Sequence, residues 1–315
     1  MDFEYSDFKT ILDLAQQLLQ IMQIPLFAAK HSKKTFTNHQ LFKLMVIKSF
    51  LGLDYRRFED HLKTSKIPEY LGMDRIPHFT TFQKFAKRQS TKNLEKMLLK
   101  FVKLQPNKLK NVGFDATGFT LSHASKHYEK RIGKSYSKKD FMKANIFFDL
   151  DNLMILGIKM RKKSRHDLMD LPSMWNKINP LDFKYVYADK AYDAEWFHEM
   201  IFEKGSVSKI HIRNENIPVH RTNGNYRKHM KRRQKNSEKG IRSICETINS
   251  MLKKIFGSVI KARKWFTQKI EFLFKIIAFN LERICKISKK FFALFVFLLN
   301  FLDFFTKNLK SILSL

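Results

Sequence analysis

Three acidic residues stand at positions from which side chains can do metal-ion chemistry. Asp115 lies in NVGFDATGFT (111–120), after Val112 and Phe114, and Asp189 closes FKYVYAD (183–189), after Tyr185, Val186 and Tyr187. Both runs are short, β-prone and followed by Ala, Gly or a helix start, so each carboxylate is displayed at a sheet edge, where sites collect. Glu246 lies in IRSICETINSMLKKIF (241–256), whose apolar residues Ile241, Ile244, Cys245, Ile248, Met251, Leu252 and Ile255 recur at steps of 3, 1, 3, 3, 1 and 3. Those steps trace one face of an α-helix. Arg242, Glu246, Asn249 and Lys253 follow at steps of 4, 3 and 4 and form a stripe at its margin. Asp, Asp and Glu from two strands and a helix make an oxygen donor set of the kind that hard divalent ions such as Mg²⁺ prefer. A solvated stripe with one Arg242–Glu246 pair would explain the helix alone; the two aspartates upstream change that balance.

Other polar residues compete less well. Asp149 and Asp151 flank a strand end and read as turn residues around Asn152, although either replaces a ligand if the register differs. His166 and Asp167 open a helix, where capping outranks catalysis. His123 and His127 have no partner at metal-ligand spacing, and Lys190 and Tyr192, beside Asp189, are placed to line a groove.

The elements that must carry these residues fall into two patterns. Helical spacing covers 7–23 (ended by Pro25), 38–51 (broken by Gly52), 54–64 (capped by Asp54), 80–88 (capped by Thr80 or Thr81) and 91–104. This predicts an all-α unit over 1–106, with basic outer faces that include Lys84 and Arg88, and the pair 54–64 and 80–88 suits a helix-turn-helix-like DNA reader. From 111 the pattern turns to strands at about 111–120, 142–150, 153–162, 183–189 and 208–213, the first three antiparallel. Helices follow at 167–178, 193–204 and 239–256, which predicts an α/β (α+β) mixed sheet flanked by helices over 107–288. The segment 220–237 has almost no apolar residues and crowds Arg227, Lys228, Lys231, Arg232, Arg233 and Lys235 together, so it reads as a basic loop that binds phosphates. Residues 263–287 read as an aromatic closing helix, and the Phe-rich run 291–305, within a tail at 289–315, as a core or tail helix rather than a membrane span.

Composition narrows the partner. Sixty Lys and Arg stand against 29 Asp and Glu, a formal charge of +31 over 315 residues. That is far more than solubility needs and points to a polyanion, either nucleic acid or an anionic membrane. Cys245 and Cys285 fall on apolar helix positions, read as free thiols in a reducing cytosol, and show no zinc spacing. The acidic start MDFEYSDFK has no hydrophobic core of a signal peptide.

Three motifs together resemble DDE transposases of bacterial and archaeal insertion sequences, of the types numbered four and five. They are VGFDATG at 112–118, YVYADKAYD at 185–193, and Arg242-x3-Glu246-x6-Lys253, which fits the family's Tyr-x2-Arg-x3-Glu-x6-Lys signature except that Lys239 stands at the Tyr position. PHFTTFQKF at 77–85 resembles the segment before the catalytic domain, and the likeness ends near Arg283. The resemblance implies an RNase H-like core in which Asp115, Asp189 and Glu246 bind two Mg²⁺ or Mn²⁺ ions, with Arg242 and Lys253 near phosphate. It further implies double-stranded DNA partners (terminal inverted repeats and target), a homodimer in the DNA complex, and a cytoplasmic, nucleoid-associated protein with no membrane role. A nuclease on the same core and a silent transposase-derived DNA-binding protein are the alternatives.

Overall fold

The computed structural model describes residues 5–29, 31, 34–105, 108–121, 141–163, 165–233 and 241–313, with side chains to Lys289 at the carboxyl end. The amino-terminal helices are α1 (Tyr5–Ile21), α2 (Asn38–Leu51), α3 (Tyr55–Thr64), α4 (Ile67–Tyr70), α5 (Phe79–Arg88) and α6 (Thr91–Lys100). Several of the ends have a local cause. Thr37 and Gln40 form a capping box at the start of α2, and Gly52, at φ 62°, closes it in the left-handed conformation that glycine tolerates. Asp54 accepts the amides of Arg56 and Arg57 and starts α3, as the sequence predicts. For α5 the expected Thr80 or Thr81 cap is replaced by His78, whose Nδ1 accepts the Thr80 amide. Glu59 of α3 takes the Phe79 amide at 2.8 Å, so the α3–α5 pair is fixed by a cap from each side and by Phe58 against Phe82.

The sheet has the order β3-β2-β1-β4-β5, with β1 (Asn111–Leu121), β2 (Phe141–Asp149) and β3 (Met154–Arg161) antiparallel. β4 (Tyr185–Ala188) runs parallel to β1, and β5 (Val207–Ser208) parallel to β4. A sixth strand, β6 (Val259–Ile260), which the sequence does not announce, pairs in parallel with the far end of β1. The strand expected over 208–213 stops at Ser208: after Lys209 has bonded to the Val186 carbonyl, the Arg213 amide turns to Asp193 instead of the ladder. This is the mixed α/β sheet with flanking helices that was expected.

Alternation along β1 divides the two faces. Phe114 packs on Trp175 and Phe197 from α7 (Leu171–Ile178) and α8 (Glu195–Glu203). Phe119, of opposite parity, packs on Phe272, with ring centroids 4.4 Å apart. That second face is covered by α10 (Ser243–Phe256) and by α11, one continuous helix over Trp265–Leu313 that joins the two helical stretches read separately in the sequence. The fully buried Asn280 of α11 clasps β3 through both the amide (2.9 Å) and the carbonyl (2.7 Å) of Ile155. The same helix meets α2 through Phe274 against Phe42. The amino-terminal helices and the sheet therefore share one buried core through α11. Among the described residues no helix is long and apolar enough to cross a membrane.

Candidate active site

On the side of β1 away from β2, β4 pairs as far as Phe114 and β6 pairs from Thr120. Between these two partners lies Asp115. Because Phe114 is level with Ala188, Asp115 and Asp189 follow at the same height on neighbouring parallel strands. Asp189 lies just past the end of β4, whereas Asp115, expected at a strand end, lies within β1, an interior strand that runs on to Leu121.

Helix α10 crosses this gap unusually close to β1. A Cβ built on Gly113 would come within 2.4 Å of the Cys245 sulfur, so a residue with no side chain is required where the helix touches the strand. Cys245 is buried there, and burial pushes its thiol up, which leaves it a packing residue. The close approach delivers the polar stripe. Asn249 donates to Asp115 Oδ2 at 2.9 Å. Arg242, at the amino end of α10, reaches Glu246 at 3.1 Å and Asp189 at 3.5 Å. One helix thus touches both aspartates and carries the third acid. Burial pushes the Asp115 carboxyl above its usual range; the Ala116 amide and Asn249 draw it down, the Glu246 charge adds to the rise and Arg242 offsets it. Asp189 and Glu246 are more open, with side chains 44% and 65% exposed.

Among the described residues no three His, Cys, Asp or Glu side chains close into a group that would hold a metal. The Arg242 guanidinium stands between two of the acids as their counter-charge. Asn249 lay in the stripe read from the sequence but received no role there; its contact with Asp115 spans 134 positions and leaves no local trace. Lys253 continues the stripe and lies over the Phe119 ring at 5.3 Å.

The basic segment differs from expectation. Part of it is a helix, α9 (Asn225–Arg233), rather than a loop; residues 234–237 lie outside the described residues. Its charge is tolerated because acids from the sheet side hold it. Glu195 accepts the amides of Tyr226 and Arg227 at the start of α9, and a Cβ on Gly224 (φ +90°) would strike that carboxylate. Asp193, its side chain fully buried, takes two bonds from the Arg227 guanidinium, one from His198 and the Arg213 amide. Burial alone would raise the Asp193 carboxyl, but these donors together hold it at about 2. Arg227 is therefore spent on Asp193 rather than facing a partner. Lys228 and Arg232 sit further along α9, half-buried and exposed, while the Arg233 side chain lies outside what is described. Lys84 and Arg88 are exposed on α5, as expected of its outer face.

The lesser candidates resolve simply. Asp149 and Asp151 hold the β2–β3 turn and the start of β1, three or more residues before Asp115. His166 caps the short turn at Asp167–Asp170. Tyr192 is buried rather than lining a groove, and Lys190 is exposed and pairs with Glu215. His123, His127 and the basic residues of the 122–140 connection lie outside the described residues.

A mixed sheet with one carboxylate within β1 and one just past β4, and a third acid on the helix packed across them, defines an α/β protein with an acidic site on its sheet. The transposase DDE domain profile matches residues 111–281, from the first residue of β1 into α11, and the chain belongs to that family. It is thus a transposase, an enzyme of DNA cleavage and strand transfer. Comparison with curated proteins gives no match. Similar solved structures include a piggyBac transposase synaptic complex with hairpin DNA, at 9% identity and TM-score 0.41, over 91% of this chain and 74% of that one. A Mos1 strand transfer complex aligns at 8% identity and TM-score 0.28, over 87% and 83%.

Proposed function

We propose that Asp115, Asp189 and Glu246 hold two divalent ions, Mg²⁺ or Mn²⁺, and that the site cuts double-stranded DNA at terminal inverted repeats of a bacterial or archaeal insertion sequence. The freed 3′-hydroxyl is then joined to target DNA in the same site. The observation that carries this reading is the grip of one helix on both aspartates, through Asn249 on Asp115 and Arg242 on Asp189. The donor set suits such ions in kind, since every donor is a carboxylate oxygen; the three do not close on one point in this structure, where Arg242 pairs with both Asp189 and Glu246. When bound, the ions supply Lewis-acid activation of the attacking oxygen and stabilisation of the leaving one.

The chain's own residues do the rest. Asp115, fixed by Asn249, sets the inner limit of the site. Arg242 is poised to leave its carboxylates for a phosphate oxygen, since a guanidinium suits either partner in the same forked geometry. Lys253, one helical stripe further on, adds charge for the strand leaving the site. Lys84 and Arg88 of α5, with Lys228, Arg232 and Arg233 of α9, supply the wider DNA contact; Arg227 contributes by anchoring α9. Two copies of the chain hold the two DNA ends, and the protein works on DNA in the cytoplasm, associated with the nucleoid.

The test is incubation of purified protein with Mg²⁺ and labelled DNA carrying the inverted repeats that bracket its gene. Cut and joined products are expected from wild type, and neither from Asp115→Asn, Asp189→Asn or Glu246→Gln, each still able to bind DNA. Cutting without joining would make the protein a nuclease, and wild-type binding without cutting would make it a silent DNA-binding protein.

A further inference from the structure

Between the amino-terminal helices and α11 lies a cavity that the carboxylate site does not use. It is lined by the buried Met45, Phe274 and Lys275 together with Lys48, Tyr55 and Lys261. The volume is about 170 Å³, room for a tetrahedral oxyanion with some of its water. Three lysines line the cavity against two acids, Glu271 and Asp54.

Both acids are already engaged. Glu271 accepts the amides of Lys261 and Ala262 and pairs with Lys275 at 3.4 Å. Asp54 accepts the amides of Arg56 and Arg57 as the cap of α3. What remains is cationic. The Lys48 ammonium lies over the Tyr55 ring at 4.6 Å, and Lys261 donates to the Gly52 carbonyl at 2.6 Å. Among the described residues neither of these two lysines has a carboxylate at ion-pair distance. Burial lowers the Lys48 pKa; Glu271 raises it, Lys275 and Lys261 lower it again, and Asp54 adds a smaller rise. Such a group is relieved by an anion, because an opposite charge restores the ammonium that burial and like charges disfavour.

We propose that this pocket binds a phosphate group, and that in the working protein it is a phosphodiester of the DNA backbone. The choice of DNA as the source rests on the DNA-processing reading above; the phosphate chemistry stands without it. Position favours the backbone over a free ion. The mouth, at Gly52, Asp54 and Lys261, is exposed. Phe256 on the wall is the last residue of α10, ten positions from Glu246, about 15 Å along the helix. A duplex seated in the carboxylate site is then within reach of the pocket, which would clamp it at a second point.

The test uses the full chain without divalent ions, so cleavage plays no part and failure of the carboxylate-site reading cannot mimic failure here. Thermal melting of wild type, Lys48→Gln and Lys261→Gln is followed in inorganic phosphate against chloride at equal ionic strength. The wild-type Tm is expected to rise more than that of either variant. An equal rise in all three overturns the pocket; Lys261→Gln, at the exposed mouth, keeps the test valid should Lys48→Gln fail to fold. Binding of labelled inverted-repeat duplex is then measured across salt. Each variant is expected to bind more weakly, with the slope of log K against log salt reduced by about one. Phosphate protection with unchanged DNA binding would overturn the DNA source and leave a site for free phosphate.

Discussion

Asn249 and Asp115 meet at 2.9 Å, amide to carboxylate, though 134 positions separate them. The bond ties the helix that carries Glu246 to the strand that carries Asp115, and it bears on the charge of the acid it holds.

Loss of that amide is expected to act on activity more than on folding. In Asn249→Ala the strand-transfer rate should fall about 10- to 100-fold, the usual cost of removing the residue that orients a ligand. Burial already raises the Asp115 carboxyl and Asn249 counters part of that rise. Without the amide the folded pKa climbs further, so the acid limb of the pH–rate profile moves to higher pH. Asn249→Asp places a second carboxylate at the same spot and should shift the limb further still. A profile unmoved in both variants would remove Asn249 from the site.

The contact of Gly113 with Cys245 is a steric gate on the same geometry. Gly113→Ala brings a methyl to 2.4 Å from the sulfur unless α10 retreats. Overpacking of this kind costs about 1–3 kcal/mol, read by urea unfolding. The retreat also carries Glu246 away from Asp115, so activity should fall further than stability explains. Cys245→Ala in the same chain removes the obstructing atom, and the double variant should recover much of both losses. Additive losses would show that the two residues do not touch.

Much of this was legible in the residues. The helices at Asn38–Leu51 and Tyr55–Thr64 are written by apolar period and by Asp54, whose carboxylate accepts the amides of Arg56 and Arg57 just after it in the chain. Asp189 is marked by a strand end and Glu246 by a four-residue stripe, whereas Asp115, read as a strand end, lies within β1 because that strand runs on to pair with β6. The illegible parts depend on distant partners. β5 and β6 are two residues each, too short for a period. The helix Asn225–Arg233 looks self-repelling until Glu195 and Asp193 are placed beside it, about thirty positions away in sequence. Arg227 read as a free cation because nothing nearby in the chain shows the acid that takes it.

Asp193 gives that anchoring a pH signature. Its carboxyl is held at about 2 against the usual 3.8. A depressed carboxyl contributes stability that is full above the unfolded value and is lost as pH falls through the folded one. Here the window runs from 3.8 down to about 2, and the contribution is on the order of 2 kcal/mol. Asp193→Asn should cost about 3 kcal/mol at neutral pH, because it strands the Arg227 charge. Its stability should also decline less steeply than that of wild type across the acid window, followed by urea midpoints from pH 5 to pH 2.

Two of the cations on α9, Arg227 and Arg232, should part company under substitution. Arg227 makes two bonds to a buried carboxylate, whereas Arg232 is exposed one turn and a little further on. Arg227→Ala should lower Tm and weaken DNA binding together, since it removes the side-chain tie of α9 to the sheet and leaves Asp193 buried without its cation. Arg232→Ala should leave Tm unchanged, because an exposed side chain without a buried partner contributes little to folding. Its effect should appear only in DNA affinity, as a salt slope smaller by about one. Equal Tm losses in the two variants would mean that Arg227 is not the anchor, and an unchanged slope in Arg232→Ala would place the DNA on another face of α9.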